Sequence, residues 1–166
     1  MKHKIKKNSS IILRNTIFNS NILLERCGYI MKARAKFYEC EKCHNVMELV
    51  LDGNGRKITC CNQDMKELEA NTAEGALEKH IPDVTVEGDK VTVFVGNGEH
   101  PIEKNHSIMW LALETTEGIQ KKYIHQEYVS TSDKPRGIFV TVDDEPVAAY
   151  SYCNLHGLWR KDIKMK

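Results

Sequence analysis

The chain of 166 residues is marked first by what it does not contain. No apolar run approaches the about 18 residues that a membrane-crossing helix needs, so a transmembrane segment is not expected. There is no net charge to speak of, with 24 Lys/Arg against 23 Asp/Glu. That balance points to neither nucleic acid nor a membrane surface as a partner. There is no internal repeat and no low-complexity tract, which removes solenoids and fibrous arrays. A basic, loosely apolar start lacks a small-residue cleavage site after it. Arg14, Asn15, Asn19 and Asn21 interrupt its apolar stretch, so it is not read as a secretory signal. "LERC" at 24–27 has the outline of a lipoprotein box, but Glu25 and Arg26 are too large for it.

The charge is unevenly spread. Residues 1–30 hold six of the basic residues and one of the acidic ones, hence +5, which leaves residues 31–166 with 18 and 22, hence −4. Residues 1–35 are therefore expected to be a disordered extension, or the product of an upstream start codon wrongly chosen, with Met31 a natural start. Cys27 has no assigned role.

The rest of the chain, from residue 36, is mainly β. "KFYEC", "VMELVLD" and "RKITC" are short strand-like pieces around the turn residues "DGNG" at 52–55, and this first unit, 36–71, ends near Asn71. "TAEGALEKH" is compatible with a helical turn or a long loop. From Val84, strands are expected at 84–87, 91–95, 108–114, 120–128, 138–142, 146–152 and 157–163. The turns between them are "EGD", "GNGEHP", "TTEG" and "SDKPRG". "VTVFV" alternates, with Val91, Val93 and Val95 on one face. Seven short strands in so few residues predict an immunoglobulin-like β-sandwich over 72–166.

The cysteines do not form an even secreted framework. Four of the six fall in the first unit, Cys40 and Cys43 as C-x-x-C and Cys60 and Cys61 as an adjacent pair. In an intracellular protein that spacing points to metal before disulfides, and a cytoplasmic location is expected. Four thiolates close a tetrahedral site with no open position, so the site is structural or an electron relay; spacing does not separate iron from zinc. The short link between Cys60 and Cys61 is expected to open the angle between their sulfurs. Two pairs of free thiols are the alternative.

A second set of donors lies in turn-like settings. His80 precedes Ile-Pro, His100 precedes Pro101, His106 comes six residues later, and Cys153 and His156 form C-x-x-H. A lone histidine is more often a surface or core residue than a ligand, but five candidate donors bordered by Pro and Gly shift that balance. Imidazole suits iron, zinc, copper or nickel. His3, His44 and His125 are read as non-ligands. Trp110 and Trp159 are candidates to shield the site, with a core role favoured for Trp110.

"CEKCHNV…CC…M", "EKHIP", "GNGEHPIEKNHSIMW" and "YCNLHGLW" together resemble desulfoferrodoxin, the two-iron class of superoxide reductase, over about residues 36–163. The resemblance implies a desulforedoxin-like N-terminal domain with a four-cysteine iron. It also implies a sandwich carrying the catalytic iron, with His80, His100, His106 and His156 equatorial and Cys153 axial. Glu78 and Lys79 match the family's mobile pair beside the open position. The implied reaction is one-electron reduction of superoxide to hydrogen peroxide, with two iron ions per chain and no haem, flavin or nicotinamide. A rubredoxin-type electron donor and a homodimer are implied as partners. His44 stands where the family commonly has Gly, which puts a left-handed residue with a side chain in a tight turn. Backbone groups near Asn154, Leu155 and Gly157 are expected to donate to the Cys153 sulfur. The rival readings are a rubredoxin-like electron carrier without turnover and a structural zinc protein.

Because residues 1–30 fit no core element, a chain beginning at Met31 is expected to fold, take up both irons and react as the full chain does. A thermal melt checks this: a large fall in melting temperature would show that the segment carries structure.

Overall fold

Alternating short segments become strands, and the turns between them decide how they pair. The structure is a computed structural model that describes residues 35–51, 53, 55–73, 77–96, 100, 103, 105–124 and 135–164, with only the backbone of Leu77 and Glu78. His3, Cys27 and the rest of residues 1–34, as well as His125, lie outside the described residues.

The first lobe is built from very short strands. β1 (Lys36–Glu39) lies between β2 (Val46–Leu49) and β5 (Lys66–Glu67). β3 (Thr59–Cys60) and β4 (Gln63–Asp64) form a separate ribbon. The two residues joining that ribbon, Cys61 and Asn62, have φ of 51° and 60°. Two left-handed residues in a two-residue loop match the twist of a hairpin. β4 and β5, two residues each, carry no alternation and were not expected from the sequence.

A single helical turn, α1 (Leu77–His80), leads into the sandwich. Among the described residues the sandwich has seven strands: β6 (Asp83–Glu87), β7 (Lys90–Phe94), β8 (Ile108–Thr115), β9 (Ile119–Tyr123), β10 (Arg136–Val140), β11 (Pro146–Cys153) and β12 (Gly157–Asp162). They form two antiparallel sheets, ordered β10-β7-β6 and β12-β11-β8-β9. This is the expected immunoglobulin-like sandwich.

Most strand ends fall within one residue of expectation; β10 differs by two at both ends. β10 starts at Arg136, inside the "SDKPRG" turn signal. Gly137 pairs with Val93, and a Cβ on it would lie 2.9 Å from the Phe139 ring. This glycine serves close packing rather than a turn. β10 also ends early, because Thr141 leaves the ladder to donate its N–H to the Asp89 carbonyl at 2.8 Å. Of the strand expected over 120–128, the described part ends at Tyr123.

Val91, Val93 and Val95, with Phe139, pack against Ile108, Leu111, Leu113, Ala149 and Cys153 to form the core between the sheets. The opposite face of the four-stranded sheet is also covered, by the first lobe. Phe37 sits there against Trp110, with ring centroids 4.9 Å apart, and against Tyr150 at 5.7 Å. Trp110 stacks on Tyr152 at 5.4 Å, so it is a packing residue between the sheet and the lobe rather than in the core between the two sheets. A sheet covered on both faces explains why β8 and β11 are buried almost throughout instead of alternating.

Polar contacts finish the docking. Buried Glu114 accepts from the Tyr150 hydroxyl at 2.7 Å and the Ala35 N–H at 3.2 Å. Arg160 donates to the Tyr150 oxygen at 3.0 Å. Burial, then the Glu114 bond, push the Tyr150 phenol up to about 12. Asn71 bonds the edge of β12 through its N–H to Leu158 and its side chain to Arg160, at 2.9–3.0 Å. Among the described residues no helix is long and apolar enough to cross a membrane.

Phe37 is the largest apolar side chain that the lobe inserts into the sheet. Phe37→Ala is expected to cost about 3–5 kcal/mol and lower the melting temperature by roughly 10 °C. Calorimetry showing a loss below about 1 kcal/mol would mean that the lobe is not held by this contact.

Candidate metal centres

The four-cysteine cluster comes from two turns. After Cys43, the chain reverses through His44, whose φ is 56°. The His44 N–H bonds the Cys40 carbonyl at 2.8 Å, and the Cys40 N–H bonds the Asn45 carbonyl at 3.0 Å. The side chain that replaces glycine finds a local partner, with Nδ1 3.0 Å from Glu39 Oε1. In the other turn, neighbouring side chains on a strand would face opposite ways. The left-handed backbone at Cys61 instead turns its thiol to the side of Cys60.

The four sulfurs lie within 4.8 Å of one another. Cys43 and Cys60 are 3.6 Å apart, and the adjacent Cys60 and Cys61 are 3.9 Å apart. A tetrahedron of sulfurs about 2.3 Å from a metal has edges of about 3.8 Å, so the set fits one ion. All five described cysteines are free. The backbone N–H of Cys43 lowers the Cys40 thiol to about 7, whereas shared contacts, first with Cys43, push Cys61 up to about 12. Four thiols so close do not all ionise unless a cation is among them. Asn45 and Gln63 also donate toward the Cys60 and Cys40 sulfurs at 3.9 Å.

The second cluster is a square of imidazoles. Going round, His80–His100, His100–His106, His106–His156 and His156–His80 have ring centroids 4.6–4.7 Å apart, each pair steeply inclined. Across the square, His80 and His106 are 6.0 Å apart and nearly parallel. The ligand atoms of His80, His100, His106 and Cys153 all lie within 4.8 Å of one another. Cys153 Sγ is also 3.7 Å from His156 Nδ1, so the sulfur serves the whole square rather than one corner.

His156 Nδ1 is 2.9 Å from His80 Nε2. Two nitrogens about 2.1 Å from one centre, at right angles, are about 3.0 Å apart. His106 Nε2 is buried with no hydrogen-bond partner among the described residues. Buried imidazole nitrogens that converge with a thiol are a donor set for a borderline metal such as iron.

Electrostatics favour a neutral His106. Burial, and then the proximity of His156, hold the His106 pKa below the usual imidazole value. Burial pushes the Cys153 thiol up, opposed by the N–H groups of Leu155 and His156. Of the expected donors to this sulfur, Leu155 is in place and His156 takes the part given to Gly157. The Asn154 N–H goes instead to the Ser107 carbonyl. Trp159, fully buried, stacks on His80 at 4.9 Å. Lys79 is exposed at the end of α1, and the Glu78 side chain lies outside the described part of the chain.

The chain is similar to known proteins over most of its length. Residues 72–162 match the family model described as desulfoferrodoxin, and residues 32–68 match the one for its N-terminal domain. A desulfoferrodoxin homolog of Archaeoglobus fulgidus is 39% identical over 123 residues, covering 74% of this chain and 93% of that protein. The desulfoferrodoxin of Syntrophotalea carbinolica is 36% identical over 132 residues, covering 80% and 99%. The crystal structure of the superoxide reductase from Treponema pallidum matches with a TM-score of 0.61 at 31% identity, over 78% of this chain and all of that one.

The two clusters share no residue, so they are separable. Cys43→Ser is expected to remove one metal ion per chain and weaken the first lobe, while the second ion and superoxide reduction by the pre-reduced protein largely survive. Metal analysis with a rate measurement checks this. Loss of activity with the second ion still bound would contradict it.

Proposed function

We propose, from the premise that this chain belongs to the desulfoferrodoxin family, that it is a superoxide reductase using two irons per chain. The observation that carries the reading is the square of four imidazoles served by one buried thiol. His80, His100, His106, His156 and Cys153 would hold one iron; Cys40, Cys43, Cys60 and Cys61 would hold the other. When bound by the first of these sets, iron would supply the one electron that, with two protons, converts superoxide to hydrogen peroxide. An electron carrier without turnover has no use for the histidine square.

The chain's own groups shape that reaction. Four neutral imidazoles leave the metal's positive charge intact, which favours a small anion. The five donors would hold the metal and still let it accept that anion. Burial of Cys153 excludes water from the sulfur, and the Leu155 and His156 N–H groups stabilise its thiolate. The exposed Lys79 ammonium, next to buried His80, draws the anion toward the site. Glu78, next to Lys79 in the sequence, would supply a carboxylate for the metal in its oxidised state. Protons come from solvent.

The reading extends to organisation and partners. Residues 36–71 form the four-cysteine iron domain and 72–166 the catalytic domain, with 1–35 an extension. The electron donor is a rubredoxin-type protein, the chain pairs as a homodimer, and it works in the cytoplasm.

Lys79→Ala is expected to lower the second-order rate with superoxide about ten-fold and to flatten its dependence on ionic strength, with an unchanged iron spectrum. Glu78→Ala is expected to keep a near-normal rate but to alter the resting ferric spectrum. Pulse radiolysis across a salt series decides. Equal rates for wild type and Lys79→Ala, without salt dependence, would remove the steering role.

A further inference from the structure

The five donors come from three separate parts of the chain. α1 ends in His80, the segment between β7 and β8 carries His100 and His106, and the turn from β11 to β12 carries Cys153 and His156. Something other than the metal must bring the first two parts into register with the third. Loop segments have no ladder of their own to do this, and converging donors oppose one another until an ion is present.

Two sets of buried hydrogen bonds meet that need, and both start from residues 151–154. Ser151 is fully buried and lies on the same side of β11 as Cys153, two positions away. Its hydroxyl donates to the backbone carbonyl of His80 at 2.6 Å, across 71 positions of sequence. The carbonyls at the end of a one-turn helix have no intrahelical partner. β11 already pairs with β8 and β12 on its two sides. The serine hydroxyl is thus not needed by the sheet and serves the ligand's own backbone.

Asn154 directly follows Cys153. Its side-chain oxygen accepts the Ser107 N–H at 2.8 Å, and its own N–H donates to the Ser107 carbonyl at 3.1 Å. Ser107 is buried and directly follows His106. The Ser107 hydroxyl donates to the Glu103 carbonyl at 2.7 Å, and Glu103 and His106 exchange backbone bonds at 3.0 Å. Glu103, His106 and Ser107 are thus bonded to one another, and Ser107 is clipped by two bonds to the residue after the thiol.

We propose that Ser151 and Asn154 are positioning residues: each ties one distant histidine segment to the strand and turn that carry Cys153, holding the imidazole square in register with the sulfur. The inference rests on the reading of these five donors as a metal site. Neither residue touches the reacting atoms.

The test uses the full-length two-iron protein. Wild type, Ser151→Ala, Asn154→Ala and Asn154→Asp are oxidised and titrated with a chelator while the visible absorption of both sites is monitored. The alanine variants are expected to release the second iron at about ten-fold lower chelator concentration, the scale for lost outer partners of metal ligands. Their ferric thiolate band should shift, with the four-cysteine absorption unchanged as internal reference. Asn154→Asp keeps the accepting oxygen and should retain iron nearly as wild type does. Folded alanine variants with wild-type retention and band would overturn the proposal. So would equal losses in Asn154→Ala and Asn154→Asp. Alanine variants that lose the sandwich even without metal would mark both residues as general struts, and the proposal would fail. A wild-type chain that takes up no second iron defeats the metal reading itself, and this is seen before any variant is compared.

Discussion

Everything in the sandwich answers to one constraint: four imidazoles and a thiol must meet at one point inside a protein. Lone pairs facing each other at about 3 Å repel unless a cation lies among them, and burial raises that cost. The structure meets the constraint by fixing the ligand segments from outside the cluster. β11 is held on both edges, Trp159 backs the His80 ring, and each ligand segment is tied down through its backbone. The charge is left for the metal, and the protein supplies the geometry.

The first lobe solves a smaller version of the same problem with less material. Its strands run two to four residues, and only Phe37, Cys40 and Met65 among its apolar side chains are buried. A unit of this size needs metal or docking to persist. It is built for both: the four sulfurs are close enough to hold one ion, and Phe37 inserts into the aromatic face of the neighbouring sheet. Left-handed backbone at His44 and Cys61 is the local cost of gathering the sulfurs.

Much of this was legible in the sequence, for identifiable reasons. Period-two alternation at Val91, Val93 and Val95 marks a strand with one buried face, and the structure buries all three. C-x-x-C and C-x-x-H place donors at spacings that turns convert into clusters, and the structure brings each set together. The limits were equally physical. Gly137 reads as a turn residue, yet it makes room for Phe139. β4 and β5 are too short to show a period. Ser151 and Asn154 carry common side chains whose partners lie 71 and 47 positions away; no local pattern reveals such a bond. Which N–H groups reach the Cys153 sulfur depends on the turn's dihedral angles, which is why His156, not Gly157, fills that role.

The central claim is that the histidine square and Cys153 reduce superoxide rather than dismute it or merely store electrons. The most direct measurement is the yield of hydrogen peroxide per superoxide consumed by the pre-reduced protein, with dioxygen measured in the same vessel. The account predicts one peroxide for each superoxide and no dioxygen, with oxidation of the second iron in step. One peroxide for every two superoxide ions with dioxygen evolved, or no consumption above the spontaneous rate, would contradict it.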